Sequence, residues 1–324
     1  MKNKLLFPII FAFIFSSCSD FSGNEDVVEA SLKPSTVTTQ QQEEEETATR
    51  TYYDLDGITY GNNTFVAVGE SGIVRTSSDD GVTWDNATSG TTRQLSEIAY
   101  GDSTFVTVGQ SATNLYSSDN GATWTSGTTT ETSTNYYGIS NGDNVFAAVG
   151  NVNILRSTDN GSNWDTVTTG NLRDVAFGNS IFVACGADGA IETSDDGDNP
   201  WGSRTSGATG FTLNGITFGN NLFLSVGSSG KLIKSDDNGS TWDNVNSQVS
   251  TNLYSIAYGN NKFVAVGSKT VIASSNNTGS SFGIKDTTLT FNDVTFGNGV
   301  FVAVGDNEII YTSTDGDSWT KVYP

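Results

Sequence analysis

One ten-residue phrase, YGNNTFVAVG from Tyr60 to Gly69, returns six more times along the chain, and its spacing restricts the folds this chain can adopt. The near copies begin at Tyr100, Asn141, Phe177, Phe218, Tyr258 and Phe296, so successive starts lie 40, 41, 36, 41, 40 and 38 residues apart. A steady period of this size marks a repeat architecture in which each copy is one supersecondary unit, buried against its neighbours.

Each copy follows a strand-like segment L-x-x-[IV]-x-[YF]: Leu55/Ile58/Tyr60, Leu95/Ile98/Tyr100, Leu172/Val175/Phe177, Leu213/Ile216/Phe218 and Leu253/Ile256/Tyr258. Tyr136/Ile139 and Phe291/Val294/Phe296 are variants. A small residue (Thr59, Ala99, Ser140, Ala176, Thr217, Ala257 or Thr295) separates the aromatic from its Ile or Val. Large and small side chains on opposite faces suit sheets stacked large face on small. G-N-N or G-D-S then reverses the chain, because Gly and Asn accept the positive φ of primed hairpin turns. F-V-A-V reads as a second strand, segments such as GIVRTS and EIIYTS as a third, and a polar stretch after a Trp as a fourth. With 36 Gly, only 4 Pro, and Thr, Ser, Asn and Asp set between Val, Ile, Phe and Tyr, the composition suits short strands and turns. The expectation is an all-β, seven-bladed β-propeller with four antiparallel strands per blade over residues 51–324, preceded by a disordered tether.

The turn before the fourth strand reads SSDDGVTW, SSDNGATW, STDNGSNW and SDDNGSTW, each S-x-D-x-G-x-x-W. This resembles the Asp-box, or BNR, repeat of sialidases, sortilin-type receptors and propeller-class photosystem assembly factors. The match falls on Ser77, Asp79, Gly81 and Trp84; on Ser117, Asp119, Gly121 and Trp124; on Ser157, Asp159, Gly161 and Trp164; and on Ser235, Asp237, Gly239 and Trp242. Three copies depart: Asp195, Gly197 and Trp201 with an insertion and Pro200; Asn277, Gly279 and Phe282; and Asp315, Gly316 and Trp319, one residue short. An Asp carboxylate can accept backbone N–H groups and close such a turn, while Trp covers the hairpin. The resemblance implies a box at the outer rim, away from the central channel. Scaffolding is the main reading, with weak Ca²⁺ binding at pairs such as Asp79/Asp80 or Asp236/Asp237 the alternative.

The N-terminus reads differently. Lys2 and Lys4 precede an apolar run from Leu5 to Phe15, too short to cross a bilayer as a helix, which needs about 20 residues. Its ending, Phe15-Ser16-Ser17-Cys18, resembles the bacterial lipoprotein signal, with Phe15 where that pattern prefers Leu. The resemblance implies a signal peptide over 1–17, acylation of Cys18, and a chain anchored by lipid to the outer membrane or cell surface. An ordinary secretory signal is the alternative. Residues 18–50 carry little periodic apolar pattern and include Glu43–Glu46, as expected of a flexible acidic linker, or of a site for cations or a basic partner.

The formal charge of −21 repels nucleic acid and anionic membrane surfaces. The chain has no His, which excludes Ser-His-Asp and Cys-His catalysis and imidazole zinc sites. Acylation of Cys18 would leave Cys185 alone, in a position where sister phrases carry Val or Ala, and therefore a small core residue.

Function must then lie where the copies differ. Arg93, Glu97, Tyr137, Arg173, Asp174, Tyr254 and Asp293, with Asn214, are the binding candidates near the innermost strands, and Glu70, Asp188, Lys269 and Glu308 stand in the loops after the second strands. A solvated rim without a ligand is the competing reading. Sialidase-like chemistry would need an arginine cluster, an acid and a Glu-activated Tyr; of six arginines after the signal only Arg93 and Arg173 fall near the expected mouth, and F-R-I-P is absent. The expectation is a monomeric, non-catalytic binding or scaffolding module for a protein or glycan, with no cofactor and no metal. A glycosidase and a structural or adhesive surface protein are the alternatives.

Overall fold

A computed structural model describes residues 52–274, 277–286 and 288–323. The expected signal (1–17), the linker (18–50) and Cys18 lie outside the described residues.

The first repeat forms strands β1 (Leu55–Gly61), β2 (Thr64–Gly69), β3 (Ile73–Ser77) and β4 (Asp85–Thr88), paired antiparallel in that order. Six more four-stranded sheets repeat this order, giving a seven-bladed β-propeller. The β1–β2 reversal places Asn62 and Asn63 at φ 45° and 58°, the left-handed pair of a primed turn, and its six counterparts do the same down to Asn298 and Gly299. β2 is buried along its whole length because both faces meet a blade, which explains its uninterrupted apolar sequence. Apolar clusters fill the junctions between successive blades. At one of them Val66, Val68 and Val74 of the first blade face Leu95, Ile98 and Phe105 of the second, small against large as the alternation requires. Each fully buried Phe of the second strands contributes about 1.5–3 kcal/mol. The outer strands are polar and shrink to two residues at Thr125–Ser126 and Asp243–Asn244, a length that blunts an exposed edge.

β1 is not a regular strand. Leu55 pairs with Gly69 and Gly57 with Val68, so Asp56 is an extra residue, and the innermost strands of the other blades carry the same irregularity. This bulge explains the L-x-x-I spacing. Three residues apart would put Leu55 and Ile58 on opposite faces of a regular strand; the bulge returns both to the core.

The end of β1 locks one blade to the next. A Cβ on Gly61 would stand 2.0 Å from the Tyr100 ring, and one on Gly297 would stand 2.1 Å from Tyr60, so the aromatic of each phrase rests on the glycine of the preceding blade. Asn141 replaces the aromatic once, against Gly101. The turn asparagines also reach the aspartate turn of the following blade: Asn62 Nδ2 donates to Asn120 Oδ1 at 2.8 Å, and Asn298 Nδ2 to Asp80 Oδ1 at 2.7 Å.

Among the described residues, each blade is built from one continuous stretch of chain. The first and seventh blades close face to face through Leu55, Phe65, Trp84, Val302 and Ile310. Polar links add register: the amide of Ile58 donates to Asp293 Oδ2 at 2.7 Å, that of Asn307 to Asp54 Oδ1 at 2.8 Å, and Arg75 pairs with buried Glu308 at 2.8 Å.

Candidate binding site at the channel mouth

The seven bulge residues are Asp56, Ser96, Tyr137, Arg173, Asn214, Tyr254 and Asn292. A bulge turns its extra side chain out of the ladder, and all seven gather around one cavity of about 370 Å³ at the end of the channel away from the hairpin turns. All are half-buried, and no two neighbouring blades supply the same residue. The architecture repeats here; the chemistry does not.

The next residue of each inner strand forms a second ring that reads Gly57, Glu97, Gly138, Asp174, Gly215, Ser255, Asp293. Large polar side chains alternate with glycine because the rings touch: a Cβ on Gly57 would meet Glu97 Cα at 2.8 Å, and one on Gly138 would meet Asp174 Cα at 2.6 Å. An odd ring cannot alternate throughout. The two adjacent non-glycine residues are Ser255 and Asp293, and there the Ser255 hydroxyl donates to Asp293 Oδ1.

The acids are held by backbone. Asp174 accepts the amides of Val175 (2.7 Å) and Ile216 (2.8 Å), Asp293 those of Val294 (2.8 Å) and Ile58 (2.7 Å), and Glu97 that of Ile98 (2.9 Å). Burial dominates their titration. It lifts Asp174 to about 7 and Asp293 to about 6, and drives Glu97 well above the carboxylate range with help from the charges of Asp293 and Asp174. The charge of Asp293 adds to burial in raising Glu97, so the two acids resist ionising together. Asp56, at the rim, rises to about 7 through burial, against its bond from Gln94 Nε2 (2.8 Å) and with repulsion from Glu70, Asp54 and Asp306.

Of the expected binding residues, Glu97, Tyr137, Arg173, Asp174 and Tyr254 line this cavity together with Asn214, and Asp293 lies directly beneath through Ser255. The Arg173 guanidinium stacks on the Tyr137 ring, 4.5 Å from its centre. Arg93 is not brought to the mouth; it lines a separate depression and donates from Nη1 to the Ser111 carbonyl at 3.0 Å. Glu308 is spent on the ion pair with Arg75, and Asp188 accepts the Gly210 amide at 2.7 Å. Asp56, Ser96 and Asn292 complete the ring and were missed, although the residue after the first apolar residue of each inner strand (Leu55, Leu95, Phe291) gives their position once the bulge is known.

At the opposite rim the aspartate carboxylates bond within their own turns. Asp79 accepts Ser77 Oγ (2.9 Å), the Thr83 amide (2.9 Å) and Thr83 Oγ1 (2.7 Å), while Trp84 Nε1 donates to the Gly81 carbonyl at 3.0 Å. Asp119/Trp124, Asp159/Trp164 and Asp237/Trp242 repeat the arrangement. In the fourth blade the carboxylate is Asp196, not Asp195: it accepts the Asp198 amide at 2.9 Å, because Gly197 follows it directly as Gly316 follows Asp315.

The chain matches no protein-family model and no curated protein. Solved structures do resemble it. YCF48 bound to a D1 peptide superposes with a TM-score of 0.66 at 18% identity, covering 81% of this chain and 92% of that one. YCF48 from Cyanidioschyzon merolae gives 0.67 at 16%, covering 83% and 97%. The WD40 propeller domain of Doa1 gives 0.61 at 14%, covering 81% and 93%. What they share is the propeller fold.

Proposed function

We propose that this propeller is a non-catalytic module that binds a protein partner by a peptide segment laid across the channel mouth. The observation that carries the reading is the ring of seven bulge residues, of five kinds and never alike in neighbouring blades, around one cavity on a repeating scaffold. Tyr137, Tyr254 and Arg173 are the residue types that anchor protein interfaces. That a YCF48 propeller binds a peptide supports the choice of partner class. The Asp-box kinship stays part of this proposal, as does the envelope location. Acylated Cys18 followed by the acidic linker would hold the module off a membrane, and palmitate labelling lost on Cys18→Ala tests that anchor.

A benzophenone amino acid in place of Tyr254 is expected to cross-link a partner in cells, whereas the same group in place of exposed Val82, on an aspartate turn, yields no such adduct. Equal adducts at both positions contradict the assignment. Among the described arginines Arg173 alone lines the mouth, so the arginine cluster of a sialidase is not assembled there. Turnover of a fluorogenic glycoside that disappears in Glu97→Gln would overturn the non-catalytic reading.

A further inference from the structure

We infer that the channel mouth seats a cationic side chain of the partner peptide, the ammonium of a lysine or the guanidinium of an arginine, above Glu97 and Asp174 and between Tyr137 and Tyr254. This rests on the peptide-binding reading and names the group that enters.

The cavity has a floor of carboxyl groups with no cation of the described chain in an ion pair with them. Among the described residues the ion pairs are Arg75–Glu308 and Lys262–Asp317, and neither reaches Asp56, Glu97, Asp174 or Asp293. The cation at the mouth, Arg173, is stacked on Tyr137 instead. Backbone amides pin Asp174 and Asp293, so neither can swing out to find a counter-charge. The acids come from three separate blades, at a ring position that otherwise carries Gly or Ser, and the cavity above them is open. Outside the rim, Asp54, Glu70 and Asp306 extend the same sign around Asp56.

A positive group entering this cavity gains Coulomb energy at reduced dielectric and meets the tyrosine rings, whose faces attract cations. A carboxylate or an apolar group would leave the acids uncompensated. Because burial raises Asp56 and Asp174 to about 7 and Asp293 to about 6, a bound cation draws protons off them. Affinity therefore rises with pH through about 6 to 7.

The test titrates the mature full-length chain with an array of short capped peptides in which one central residue is arginine, lysine, citrulline or norleucine. Citrulline keeps the shape of arginine without its charge. Arginine and lysine peptides are expected to bind at least about tenfold tighter than the neutral ones at pH 8, with the gap closing toward pH 5. Glu97→Gln and Asp56→Asn narrow the gap without lowering the melting temperature; the comparison within the wild-type chain stands if either variant folds poorly. Equal affinity for arginine and citrulline peptides, with both lost in Tyr254→Ala, overturns the cationic seat and leaves the mouth a peptide site. No binding by any peptide overturns both.

Discussion

Glycine at the end of each inner strand is fixed by a neighbour, not by its own backbone. A methyl on Gly297 would overlap the Tyr60 ring at 2.1 Å, at the junction of the first and last blades. Gly297→Ala is expected to cost roughly 1–3 kcal/mol by urea denaturation, and an unchanged midpoint would refute the contact. The acids divide into two classes. Asp315 is held down to about 2 by the amides of Ser318 and Asp317, so its stabilisation is present above its ordinary 3.8 and is lost as pH falls through 2. Asp174, Asp293 and Asp56 are raised to between about 6 and 7. Their fold-stabilising, protonated form is fully available below about 4 and is lost as pH climbs through 6 to 7. The melting temperature should therefore peak near pH 4–5 and decline toward neutrality, and Asp174→Asn should flatten that decline; a maximum at pH 7 or above would contradict the raised values.

The inner strand with its bulge is the element that turns a repeat into a site. Deleting Ser96 keeps Leu95 and Ile98 on one face, now two residues apart, but straightens the strand against the loop that precedes Leu95 and is expected to cost more than about 1 kcal/mol in urea unfolding, while Ser96→Ala leaves stability within about 0.5 kcal/mol. Similar stability of the two variants would show that the bulge is dispensable. Element order, hairpin turns and aspartate turns were legible because each obeys a local rule: paired asparagines for positive φ, Asp for orphan amides, Gly for close approach. The bulge was written in the L-x-x-I spacing yet unreadable without pairing, since a strand alone does not reveal which residue its partner skips. Arg93 was misplaced for the same reason. It lies two residues before Leu95, and only the path of the connecting loop decides whether such a residue faces the channel or the side.

Ring closure depends on the junction between the ends of the described chain. Arg75→Ala leaves Glu308 buried without its cation, beside a junction also held by Leu55, Trp84 and Ile310, and is expected to cost about 3–5 kcal/mol in thermal or urea unfolding. Loss of under about 1 kcal/mol would place closure in the apolar contacts alone. Whole-molecule charge acts alongside: a formal −21 over the full sequence favours basic partners. The propeller presents two unlike ends, one of repeated hairpins and aspartate turns, the other of bulge residues that differ between neighbouring blades. The decisive measurement is the affinity of the cross-linked partner for two variants of matched melting temperature: Tyr137→Ala/Arg173→Ala/Tyr254→Ala at the mouth, and Val82→Ser/Ala122→Ser/Ser162→Ala on the aspartate turns. Binding weakened by more than about tenfold in the first and unchanged in the second is the predicted result; equal affinities, or loss confined to the second, would contradict it.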